Sequence, residues 1–144
     1  MRLFATPYFV EEFLRISRRK YASAYGRVAK DLGAEFERLD SIPLILQSGS
    51  IITYLGYGEE HKPIKLRVAN STMQAGKSSG YRVILVTLDE EDAVVFVSIY
   101  PKVGPMAVSN PGADMLVAMM ESYLDDDVYE LQIENQELKI LMED

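Results

Sequence analysis

Six residues of this chain have the types and spacing to act on a phosphodiester. Lys65 and Arg67 alternate with Ile64, Leu66 and Val68. On a β-strand that period puts both cations on one face and the aliphatic side chains on the other. Ala75-Gly76-Lys77-Ser78-Ser79-Gly80-Tyr81-Arg82 follows, with Lys77 on a small-residue loop and Arg82 early in the next strand; a third strand ends in Tyr100-Pro101-Lys102. If these strands pair consecutively, Lys65, Arg67, Lys77, Arg82, Tyr100 and Lys102 gather around one sheet face or edge. Cations there stabilise charge developing on a phosphate, and a tyrosine or lysine of lowered pKa serves as general acid or base. In RNA the neighbouring 2′-hydroxyl supplies the nucleophile, so such a site requires neither metal nor cysteine.

Plainer readings stand beside this one. Any half-solvated strand alternates basic and aliphatic residues, and composition alone favours a solvated face. Ala-Gly-Lys-Ser-Ser-Gly contains part of a phosphate-binding loop, but the position five before Gly76 is Ser71 rather than glycine, and no helix is expected after it. A nucleotide-binding P-loop is therefore rejected. The one histidine, His61, lies in the charged connection Glu-Glu-His-Lys and reads as a solvated loop residue.

The elements that must position these residues can be read in outline. Residues 2–6 suit a short strand ended by Pro7, after which Phe9, Phe13 and Ile16 recur at helical spacing. Glu11 and Glu12 open that helix and Arg15, Arg18, Arg19 and Lys20 close it, the order a helix dipole favours. Ser23 is a candidate N-cap for a second helix carrying Tyr25, Val28, Leu32 and Phe36. Residues 8–38 thus form a helical hairpin or one long bent helix. Residues 40–63 are a glycine- and proline-punctuated connection whose middle, IITYLGYG, could add a short strand. Residues 64–69, 81–88 and 93–100 are β-branched runs joined by short polar turns, the pattern of an antiparallel meander. Residues 111–124 carry an apolar stripe of Met115, Leu116, Met119, Met120 and Tyr123, which reads as helical core packing. After it, Val128, Leu131, Leu138 and Leu141 suit a helix, while Leu131/Ile133 and Leu138/Ile140 around Glu134-Asn135 suit a hairpin.

Composition bounds the rest. A chain of 144 residues supports one domain with a sizeable core. No apolar run is long enough to span a membrane, and the N-terminus carries acids where a signal peptide would be apolar. The absence of cysteine removes disulfides and thiolate metal sites, and fits a cytoplasmic location. The net charge of −7 is uneven: residues 1–110 carry a net +2 and residues 111–144 a net −9. The acidity belongs to the C-terminal quarter.

Taken in order, Lys65-Leu66-Arg67-Val68, Gly76-Lys77-Ser78-Ser79-Gly80-Tyr81-Arg82-Val83-Ile84 and Ser98-Ile99-Tyr100-Pro101-Lys102 resemble the pattern of RelE/HigB-like toxins of type II toxin–antitoxin systems. In that family a K-x-R strand leads to a GKSGGxRV turn and strand, then to an IYxK strand end. Arg19-Lys20-Tyr21, Ser23 and Asp31-Leu32 resemble its helical hairpin. The likeness spans residues 8–122 and is densest over 64–102. It implies an α+β fold: a four-stranded antiparallel sheet, an N-terminal helical hairpin and a C-terminal helix, as residues 1–124. An acidic extension, 125–144, would follow. The implied function is a metal-independent endoribonuclease, an mRNA interferase cutting translated, ribosome-bound message. Its partners would be that message and a cognate antitoxin, with a homodimer also open to it; neither cofactor nor membrane is implied. Carried over, Arg67, Arg82, Tyr100 and Lys102 would be catalytic, and Lys65 and Lys77 would bind RNA phosphate. A non-catalytic or degenerate RelE/ParE-type protein that binds an antitoxin or a topoisomerase is the alternative. The acidic extension could shield the cations from within the chain, mediate dimerisation, or simply be a solvated end.

Overall fold

The computed structural model describes residues 1–52 and 63–141. Its strands are β1 (Arg2–Ala5), β2 (Ser50–Ile51), β3 (Pro63–Val68), β4 (Tyr81–Leu88), β5 (Ala93–Pro101), β6 (Tyr129–Glu134) and β7 (Glu137–Leu141). Its helices are α1 (Pro7–Ile16), α2 (Ala22–Tyr25), α3 (Val28–Arg38), α4 (Ile42–Ser48) and α5 (Ala113–Asp125). The strands form one sheet in the order β2-β3-β4-β5-β1-β6-β7.

The fold is α+β, but the expected four-stranded antiparallel sheet is incorrect: among the described residues the sheet has seven strands and is mixed. β1 runs parallel to β5, with Leu3 opposite Val94 and Ala5 opposite Phe96, and antiparallel to β6 on its other side. The physical cause is burial. Leu3 and Ala5 are apolar and must be covered, and the C-terminal segment closes the flank that β5 leaves open. That segment is the hairpin of the two readings left open by the sequence. Asn135 and Gln136 both take positive φ, 53° and 63°, as a two-residue type I′ turn requires. Leu131, Ile133, Leu138 and Ile140 alternate onto the core face.

The N-terminal helices are broken by local chemistry. Thr6 caps α1 by accepting from the Phe9 amide at 3.2 Å, Pro7 occupies its first turn, and Ser17 ends it. A 3₁₀ turn (Arg19–Tyr21) and α2 then lead to Gly26, and α3 begins only at Val28. In place of a two-helix hairpin, residues 7–48 thus hold two main helices, two short intervening turns, and α4.

The sheet has a core on each face. Phe9, Phe13, Leu32 and Phe36 from α1 and α3 pack on Leu66, Val83, Leu85 and Phe96. On the other face Leu116, Met119 and Met120 of α5 pack on Ile84, Val86, Val95 and Val97. The methionine stripe is core, as its spacing suggested. Between Ile84 and Leu85 the register with β5 shifts by one, from Ser98 to Phe96, leaving Val97 as a bulge residue.

One polar atom in the helix-covered core lacks a partner among the described residues. The Tyr81 hydroxyl is fully buried and makes no hydrogen bond, and burial, Asp31 and Tyr25 all push its pKa upward. Removing an unpaired buried hydroxyl relieves its desolvation cost. Tyr81→Phe is therefore expected to stabilise the fold by about 1 kcal/mol in urea unfolding; a destabilised variant would mean the hydroxyl has a bridging water.

Candidate nucleic-acid interface

The register of the sheet assembles the central part of the expected site. Arg67 lies opposite Arg82, and Arg82 opposite Tyr100. The three form a cross-strand row, with neighbouring Cβ atoms about 5 Å apart. Lys65 stands two residues along β3, on the same face as Arg67. Their face is the one that carries α5, because Ile64, Leu66 and Val68 turn to the opposite core. Arg67 is exposed and Lys65 half-buried, whereas Arg82 is 8% and Tyr100 3% exposed.

Arg82 is held rather than free. Its guanidinium donates to the carbonyls of Lys77 at 3.0 Å, Ser78 at 2.9 Å and, more weakly, Tyr81 at 3.4 Å. It anchors the turn that precedes β4. Burial lowers its pKa and the neighbouring charge of Arg67 lowers it further, while Tyr100 acts in the opposite sense. An arginine so placed stays cationic at neutral pH. The row therefore puts two like charges side by side, one fixed below and one reaching solvent, an arrangement that an anion between them relieves. Tyr100 sits beside Arg82 within the core that α5 completes.

The other two cations are drawn elsewhere. Lys77, in the 3₁₀ turn Lys77–Ser79, pairs with Glu35 of α3 at 3.1 Å, an element of the face opposite α5. Lys102 follows β5 and donates to the Ser109 carbonyl. The structure thus brings Lys65, Arg67, Arg82 and Tyr100 together and leaves Lys77 and Lys102 out of the row. His61 and residues 53–58 of IITYLGYG lie outside the described residues.

The loop between β3 and β4 has a structural task that its small residues did not reveal. Asn70 is fully buried; it donates to the Ala24 carbonyl at 3.0 Å and accepts from the Met73 amide at 3.2 Å. Asp31 accepts from the Ser71 amide at 3.0 Å, and the Arg27 amide donates to Thr72 at 2.9 Å. Gly80 closes the loop where a Cβ would meet the Val68 carbonyl oxygen at 2.0 Å, so no larger residue fits. The signal for this clamp was a lone asparagine, Asn70, two residues after the amphipathic strand β3 ends.

The acidic strands do not lie on the cation row. β6 is four strand places from β3, about 19 Å at ordinary strand spacing. Among the described residues no group of three or more His, Cys, Asp or Glu could hold a metal ion, and no helix is long and apolar enough to cross a membrane. Comparison of the chain with protein-family models, with curated proteins and with solved structures finds no match in any of the three.

Proposed function

We propose that this protein is a metal-independent endoribonuclease of the RelE/HigB kind, acting on mRNA in the cytoplasm and restrained by a cognate antitoxin. The cross-strand row Arg67–Arg82–Tyr100, with Lys65 beside it, carries the reading. A phosphate set against Arg67 and Lys65 would have the fixed charge of Arg82 beneath it. Attack by the 2′-hydroxyl, whose proton passes to solvent, forms a bond to phosphorus and breaks the bond to the 5′-oxygen, leaving a cyclic phosphate and, once that oxygen is protonated, a free 5′-hydroxyl. The two arginines stabilise the extra negative charge of the transition state. The Tyr100 phenol is the proton donor to the departing oxygen.

A labelled single-stranded RNA incubated with the protein in a chelator tests this. Cleavage should persist without metal, and Tyr100→Phe should slow it by about 10²–10⁴-fold, the usual contribution of a general acid. The deep burial of Arg82 and Tyr100 favours a second reading, in which the same face binds a partner without chemistry. Retention of RNA with no cleavage by either protein would select it.

A further inference from the structure

We propose that a cleft at the far side of the sheet is a docking site for a cationic, amphipathic peptide segment of a partner protein. The cleft, of about 1080 Å³, is floored by Phe4, Pro7, Val128 and Leu141 and rimmed by Asp126, Asp127 and Glu130. It is larger than the roughly 300–1,000 Å³ of a pocket that encloses a small molecule, and its size suits a helix or strand. Val128 is 44% and Leu141 38% exposed, although both are large and apolar. Paired apolar exposure inside an acidic rim is the complement of a segment with an apolar stripe and a basic flank.

Two further features call for positive charge. Among the described residues, no ion pair engages Asp126, Asp127 or Glu130. The first two also stand at the C-terminal end of α5, whose last turn carries no basic residue. Carboxylates there face the negative end of the helix dipole, an arrangement unfavourable to the free protein. A cation delivered by a partner relieves both the helix end and the clustered acids. The cleft lies along β1, β6 and β7 and none of its lining residues belongs to the cation row, so the proposal is independent of RNA cleavage.

The probe is a fluorescent amphipathic Leu/Lys helical peptide, titrated against the full chain at near-physiological salt and compared with a lysine-only peptide. The Leu/Lys peptide should bind more tightly. Combining Asp127→Lys with Glu130→Lys should weaken it by about tenfold or more, a change in affinity read directly from the titration. Val128→Ser with Leu141→Ser should weaken it comparably, and Arg67→Ala should leave it unchanged. All four cleft positions are exposed, and thermal melts check that the variants stay folded. Equal binding of the lysine-only peptide would overturn the proposal, as would affinity unmoved by either pair of substitutions. Self-association lost in the same variants would also overturn it, by making a second copy the occupant.

Discussion

Arg67→Ala should lower RNA cleavage by about 10²–10³-fold, the cost of removing one group that stabilises transition-state charge. It should do so without lowering stability. Arg67 is exposed on β3 and makes no ion pair or side-chain hydrogen bond with another described residue, so the fold loses nothing with it. Binding should also change in a diagnostic way. The slope of log affinity against log salt should become shallower by about 0.7, the value for one lost phosphate contact on a single strand. Arg82 is a poorer probe of chemistry, because its guanidinium holds the Lys77–Ser78 carbonyls and its removal damages the turn. Cleavage unaffected by Arg67→Ala, with an unchanged salt slope, would falsify the placement of substrate on this face.

Truncation after Leu124 should unfold the protein. The hairpin β6–β7 is part of the sheet, and its Leu131 and Leu138 are each 3% exposed in the main core. Deleting two such leucines removes about 2–5 kcal/mol each, against a total stability of about 5–15 kcal/mol for a domain. The deletion also uncovers the edge of β1 and the seat of α3, where a Cβ on Gly33 would lie 2.2 Å from the Gln136 carbonyl oxygen. Far-ultraviolet circular dichroism and a thermal melt give the answer. A truncated chain that still melts cooperatively within a few degrees of the full chain would make the hairpin an appendage. Loss of RNA cleavage on truncation would report unfolding, whereas removal of a shielding segment would raise cleavage.

Much of the central sheet was legible because its signals are local. The alternation of Lys65 and Arg67 with Ile64, Leu66 and Val68 gave the two faces of β3, and the apolar runs gave β4 and β5 nearly to their ends. The helix expected over 111–124 is α5 at Ala113–Asp125. What escaped the sequence is non-local. Nothing in Arg2-Leu3-Phe4-Ala5 says that its partners begin at Ala93 and Tyr129. The C-terminal segment was ambiguous because Val128, Leu131, Leu138 and Leu141 fit a helical period as well as a strand pair. The site was half legible for the same reason. Strand period aligns Arg67, Arg82 and Tyr100, but the directions of Lys77 and Lys102 depend on turns, where Glu35 and the Ser109 carbonyl capture them.

The position of β1 has a consequence for how the molecule is made. β1 is wedged between two strands that follow it in the chain, β5 and β6, and the Met1 amine pairs with Asp92 at 3.4 Å. Its closure therefore spans nearly the whole chain, a high contact order that slows folding. Until the hairpin β6–β7 forms, β1 has one neighbour at most and an open edge towards any other extended chain. The antiparallel meander β3–β4–β5, by contrast, can form early from contacts close in sequence. The folding chain is thus expected to pass through a state with β3–β4–β5 built and β1 still unpaired.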